Sequence, residues 1–222
     1  MHNRFMGTYV GFDPGGFGSF GWAVVSGETF PLDVVDCGIS DHAQGAFNAA
    51  MTCVDSSKLD INAIGIDAPL FWVRDGDRRA DQVVREAIGL QGCPTAGGTV
   101  QHVNSLRGAC LIQGILVAMI CQQRAKEISI TESHPKALLW LLGKATAARR
   151  QDNIVLAELT DLIKVEGRGV QIFSQHERDA VLGGVAAFAM RSKLEKWRNL
   201  YSLETNLITP LDPVPGYWMP IS

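Results

Sequence analysis

The stretch Tyr9-Val-Gly-Phe-Asp-Pro-Gly-Gly-Phe-Gly-Ser-Phe-Gly-Trp-Ala-Val-Val25 constrains the fold of this chain more than any other. Two apolar runs, 9–12 and 22–25, flank a turn built from proline and glycine. That pattern predicts a β-hairpin with strands over 7–13 and 20–26. One carboxylate, Asp13, stands at the mouth of the hairpin. An acid that ends a strand beside flexible backbone can grip a metal or approach a phosphate.

The remaining pattern extends the hairpin into an α/β unit. Residues 32–37 predict a third strand and an antiparallel meander. Ala43, Ala46, Phe47, Ala50, Met51 and Val54 fall near a 3.6-residue period and predict a helix over 42–55. Ile61 to Ile66 reads as a buried fourth strand that ends at Asp67 and is broken by Pro69. A polar helix is expected over 75–90, N-capped by Asp77, then an irregular glycine loop over 92–98. A long apolar helix should start at Asn104 or Ser105 and reach about Arg124. Residues 127–131 read as a fifth strand with Glu132 just past its end, and Pro135 opens a helix over 136–142. An amphipathic helix is expected over 151–165. The last long helix, 176–197, carries Ala180, Gly183, Gly184 and Ala187, small enough to pack closely on a sheet. Beyond Asn199, Pro210, Pro213, Pro215 and Pro220 predict an extended tail. The expected organisation is one domain over 1–198 with a helical insertion at about 75–125, and the tail over 199–222.

Composition narrows the function classes. A net charge of −3 gives no global cationic footprint for coating nucleic acid. An enzyme that meets a phosphodiester through metal ions and a local basic patch stays open. The five cysteines are odd in number and form no CxxC pair, so they read as buried free thiols. No apolar leader follows the N-terminus, and the apolar stretch 109–121 falls short of the roughly 20 residues a bilayer crossing needs. The expectation is a cytoplasmic protein without a membrane partner.

Four acids stand at element ends: Asp13, Asp67, Glu132 and Asp179. Two divalent ions about 3.5–4 Å apart can catalyse phosphoryl transfer when shared carboxylates hold them. Neighbouring strands lie about 4.8 Å apart, so acids at their ends can reach one metal pair. In a β-β-β-α-β unit the fourth strand can lie parallel to the first and beside it, which brings Asp13 to Asp67. Glu132 joins if the fifth strand extends that side, and Asp179 enters from the last helix. Mg2+ or Mn2+ suits such oxygen ligands. His176 shares a helix face with Asp179 and can ligate, orient a water or simply sit at the helix start. Arg78, Arg79 and Arg85, with Asp81, read either as a solvated face or as phosphate-positioning forks. Lys136, close to Glu132, is a further candidate for substrate phosphate. Trp22, Trp72 and Trp140 read as core, and no Walker-type loop is present.

The hairpin segment GFDPGGFGSFGWAVV resembles the first-strand signature of RuvC-like members of the ribonuclease H superfamily. IGIDAPL, ITESHPKALLWLLG and HERDAVLGGVAAF resemble later motifs of the DUF429 family, described as predicted nucleases of the RNase H-like fold. The resemblance covers roughly residues 7–195, and the Arg78/Arg79–Asp81–Arg85 group resembles that family's Arg- and Asp-containing segment. It implies an RNase H-like α/β fold: a mixed five-stranded sheet, the first three strands antiparallel, the fourth and fifth parallel to the first. It also implies that Asp13, Asp67, Glu132 and Asp179 bind the metal and carry the catalysis of a nuclease acting on DNA or RNA. His176 with Asp179 resembles the HxxD pair of some RuvC-type resolvases. Asp67 stands where RuvC proteins usually carry Glu, and the stretch between Asp67 and Asp179 is longer than theirs, so junction resolution does not carry over. Two other classes remain: an actin-like or sugar-kinase-like ATP-dependent phosphotransferase, and a non-catalytic binding module of the same fold.

Overall fold

The computed structural model describes residues 7–73, 77–100, 108–149, 156–165, 172, 174–205 and 207–221. The hairpin forms as expected, with β1 (Thr8–Asp13) antiparallel to β2 (Phe20–Ser26) and Asp13 opposite Gly21. β3 (Leu32–Ser40) runs three residues further than expected and completes the meander. Helix α1 (Ala43–Ser56) follows, N-capped by the His42 ring, and β4 (Ile61–Ile66) returns parallel to β1. After a short β5 (Trp72–Val73) come α2 (Arg79–Leu90), α3 (Ala96–Thr99) and α4 (Gly108–Arg124). β6 (Ser129–Glu132) then lies parallel to β4. α5 (Pro135–Leu141), α6 (Ala145–Arg149), β7 (Ile163–Lys164) and α7 (Gln175–Ser192) lead to the C-terminal strands. These are β8 (Arg198–Asn199), β9 (Leu207–Ile208) and β10 (Gly216–Met219).

Among the described residues the main sheet has eight strands in the order β7-β3-β2-β1-β4-β6-β10-β8, with β5 and β9 paired apart from it. The expected alternation of direction holds: β3, β2 and β1 are antiparallel, and β4 and β6 run with β1. The count of five strands is corrected to eight. Much of the increase comes from the C-terminal residues. Pro215 and Pro220 bracket Gly216-Tyr-Trp-Met219, a run with free N–H groups, and it adds to β6 as a parallel strand. β8 then closes that side antiparallel to β10.

Three helix expectations also change. The helix expected over 151–165 is a 3-10 turn, Leu156–Leu159, followed by β7, and residues 151–155 lie outside the described ones. Buried Leu159, Leu162 and Ile163 account for the apolar spacing that suggested a helix. The last helix stops at Ser192 because Lys193 adopts a left-handed conformation, φ 47°. Leu194 and Trp197, which prolonged the pattern, pack on the core from outside the helix. Arg78, not Asp77, occupies the N-cap position of α2, and Asp77 instead ion-pairs with Arg85. The glycine loop contains the short α3, while the expected start of α4 at Asn104 or Ser105 lies outside the described residues.

Helices cover both faces of the sheet. Phe12, Ile64, Ile66 and Ile130 pack with α1 and α4 on one side. Tyr9, Ala63 and Val25 pack with α2, α5 and α7 on the other. Residues from Glu177 to Ala189 of α7 are buried all round, so this helix is internal. It lies unusually close to the strands. A Cβ on Gly11 would stand 1.6 Å from the Ala180 carbonyl oxygen, and one on Gly65 would stand 1.9 Å from that of Gly183. Only glycine permits backbone to approach backbone at this distance. The contact fixes the height and rotation of α7, and with them the first turn that reaches the strand ends.

Candidate functional site

β1 and β4 deliver Asp13 and Asp67 side by side. The Asp67 N–H donates to the Phe12 carbonyl at 2.8 Å, carrying the parallel ladder one residue past β4. On the next strand Glu132 stands opposite Ile66, held by a 2.7 Å bond from the Ser133 N–H to the Ile66 carbonyl. α7 brings Asp179 in from the face, one residue before the carbonyl that touches Gly11. Its start is fixed by a reciprocal cap: the Ser174 hydroxyl accepts from Glu177 N–H, and the Glu177 carboxylate accepts from Ser174 N–H. Asp13, Asp67, Glu132 and Asp179 are thus gathered at one end of the sheet, close enough that Asp67 feels the charge of the other three.

Their electrostatic states differ. Burial, reinforced by Asp13, Asp179 and Glu132, pushes Asp67 well above the usual carboxylate range. Its side chain is 23% exposed, and its one ion-pair contact among the described residues is His134 Nδ1 at 3.7 Å. Asp13 is raised by burial, opposed by His176, whose Nδ1 lies 2.6 Å from Asp13 Oδ2. That hydrogen bond raises His176 above its ordinary value in turn. Asp179 is pushed up to about 6 by burial, against the Arg178 guanidinium that donates to its Oδ1 at 2.8 Å. Arg178 also reaches the Ala147 carbonyl of α6 at 3.2 Å, so Asp179 is braced from a second helix.

Glu132 is the exception. Burial alone would raise it, but Arg78 overrides that and holds it below the ordinary value. Arg78 Nη2 donates to Oε1 at 2.7 Å and Nη1 to Oε2 at 3.0 Å, and the Leu70 N–H adds a third bond at 3.1 Å. Arg78 Nε and Nη2 bind Asp81 as a second fork, both at 2.7 Å, and Nη1 reaches the Phe71 carbonyl at 3.0 Å. The guanidinium sits 4.4 Å from the centroid of the Phe71 ring and is 1% exposed. Its five N–H donors are therefore all committed within the protein. The expectation that Arg78 holds substrate phosphate is corrected: a buried fork closed on two carboxylates has no donor left for a ligand. Asp81, Glu132 and His134 each offer a ligand atom within 4.8 Å of the other two, a group that could hold a metal ion.

The other basic candidates divide. Arg85 is bound to Asp77 and donates to the Val100 carbonyl at 3.2 Å. Lys136 is half-buried in the first turn of α5, and no ion pair joins it to another described residue. Trp22 and Trp140 lie in the core as expected, and none of Cys37, Cys53, Cys93, Cys110 and Cys121 forms a disulfide. Sequence reasoning did not single out His134 and Arg178. A histidine two residues after a strand-end acid and an arginine directly before Asp179 were the available signals.

The structure is an α/β sheet flanked by helices, with a group of acids where its parallel strands end. The chain belongs to the DUF429 family, proteins of unknown function, whose model matches residues 18–192, more than half its length. That stretch contains Asp67, Glu132, His176 and Asp179, while Asp13 precedes it. No curated protein matches the chain. Among the described residues no helix is long and apolar enough to cross a membrane.

Proposed function

We propose that this chain is a divalent-cation-dependent phosphodiester hydrolase of the ribonuclease H-like class, with nucleic acid, DNA or RNA, as substrate. One observation carries the reading: Asp13 and Asp67 end adjacent parallel strands in register, with Asp179 brought against them by a helix seated on glycine. The order of the five central strands, β3-β2-β1-β4-β6, is consistent with that fold class. The donor set fits Mg2+ or Mn2+, which take hard oxygen ligands. Buried carboxylates that raise one another's proton affinity are short of positive charge, and a cation supplies it.

Asp13, Asp67 and Asp179 are the residues that would hold the ion. When bound, it supplies Lewis acidity at the scissile phosphate. His176, whose Nδ1 lies 2.6 Å from Asp13 Oδ2, orients that carboxylate. Arg178 fixes the Asp179 carboxylate, and Lys136, in the first turn of α5 after Glu132, is a candidate to hold a phosphate.

The test is cleavage of single-stranded, duplex, hybrid and branched nucleic acids with Mg2+ or Mn2+. Wild type should cut at least one of them, EDTA should abolish cutting, and Asp67→Asn should reduce it at least about a hundredfold. ATP hydrolysis with every nucleic acid intact would favour the phosphotransferase class instead.

A further inference from the structure

We infer that the Arg78 guanidinium is a built-in cation standing where a second metal would sit, so that the pocket takes one divalent ion, on Asp13, Asp67 and Asp179. This rests on reading the pocket as a cation site. It deepens that reading by removing Glu132 from the ligand set.

The acid group has two halves. Glu132 and Asp81 are both buried to 0% exposure and both gripped by bidentate forks of one arginine. A guanidinium cannot shed its proton to make way for a metal. Its flat face is covered by Phe71, and the ring of Tyr217, from β10, lies 5.9 Å away. A metal that took Glu132 and Asp81 would have to expel Arg78 from both forks and leave a buried charge without partners. Mg2+ would in addition have to shed waters that it releases reluctantly. The ligand geometry of Asp81, Glu132 and His134 is therefore real but held by an organic cation.

Among the described residues no arginine fork grips Asp67, which has only His134 as an ion-pair contact. His134 stands between the halves, with Nδ1 at 3.7 Å from Asp67 and Nε2 at 3.6 Å from Glu132. It marks the boundary between the half where charge is already balanced and the half where it is not.

Mn2+ titration of the whole chain by calorimetry tests the assignment. Wild type should bind one equivalent, and Asp67→Asn should lose it. Arg78→Ala should gain a second equivalent, and its melting temperature, lowered in chelator, should recover with Mn2+ far more than that of wild type. Two equivalents in wild type overturn the inference, as does binding of none. A folded Arg78→Ala chain that still takes only one equivalent also overturns it. Should Arg78→Ala fail to fold even with Mn2+, the wild-type count and its loss in Asp67→Asn decide. One equivalent without nucleic-acid cleavage would sink the hydrolase reading and leave this inference standing. Two equivalents with cleavage would do the reverse.

Discussion

Asp67 and Glu132 end neighbouring parallel strands of one sheet, yet they live under opposite electrostatic rules. Glu132 has lost all contact with water and is held by Arg78 and the Leu70 N–H, so its charged form is the stable one. Asp67 keeps partial exposure, and burial together with three other acids pushes its charged form up in energy. Proximity to a pocket therefore does not make an acid a ligand. What separates the two is whether the protein has already supplied the counter-charge. The locked half behaves as core and ties β10 to β6 through Tyr217, while the unbalanced half is the one that the proposed reading opens to an external cation.

An acid-to-amide substitution in the locked half puts this contrast to its strongest test. Glu132→Gln should cost about 3–5 kcal/mol, because it leaves Arg78 buried beside an uncharged partner. Chemical denaturation in metal-free buffer measures it, and a loss near zero would show that the fork contributes nothing net. A smaller loss, about 1–3 kcal/mol, is expected for Gly65→Ala, since the new Cβ would meet the Gly183 carbonyl oxygen of α7. Here the contrast sharpens: α7 would lift Asp179 from the pocket and weaken Mn2+ binding, while Arg78 and Glu132 stay paired. Unchanged Mn2+ affinity in a folded Gly65→Ala chain would mean that Asp179 is not needed for the cation.

The unbalanced half was legible in the sequence and the locked half was not. Asp13 and Asp67 follow apolar runs whose period and turn residues set their positions, so strand order alone brings them together. Arg78 could not be read that way. A charged residue in a polar helix segment usually faces water, and its burial depends on Phe71, Tyr217 and Tyr201 closing over the same region from distant parts of the chain. The C-terminal strands escaped for a related reason. Prolines signal a break in pairing, but four residues between two prolines suffice for a strand when β6 offers an unpaired edge. The small-residue face of α7, by contrast, spelled out its close packing plainly, because glycines on β1 and β4 meet it.

Asp67→Asn is expected to act in the opposite direction from Glu132→Gln. It removes a charge that the pocket repels and that no described side chain hydrogen-bonds. Metal-free melting temperature should rise by about 2–4 °C, the change that ~1 kcal/mol gives in a chain of this size. A drop instead would place a stabilising partner on Asp67. Adding Mn2+ should reverse the order, with wild type gaining stability through binding and the variant gaining little.

The smallest expected effect is a pH slope. Asp179 ordinarily titrates near 3.8, and the folded protein raises it to about 6. Between those values the folded chain holds a proton that the unfolded chain has released, so stability falls as pH rises through the window. The full penalty is present above it. Asp13 and Asp67, also raised, act with the same sign. His176, raised above 6.5, stabilises fully below that value and loses its contribution as pH climbs through its folded value. Glu132, held below 4.5, contributes stability that is lost only as pH falls further. Metal-free wild type should therefore melt higher at pH 5 than at pH 7, with Asp179 supplying at most about 1.4 kcal/mol per pH unit. Asp179→Asn should flatten the profile between pH 4.5 and 6. A variant profile parallel to wild type would show that Asp179 is already balanced by Arg178, and the boundary between the two halves would then have to be drawn to leave Asp179 on the locked side.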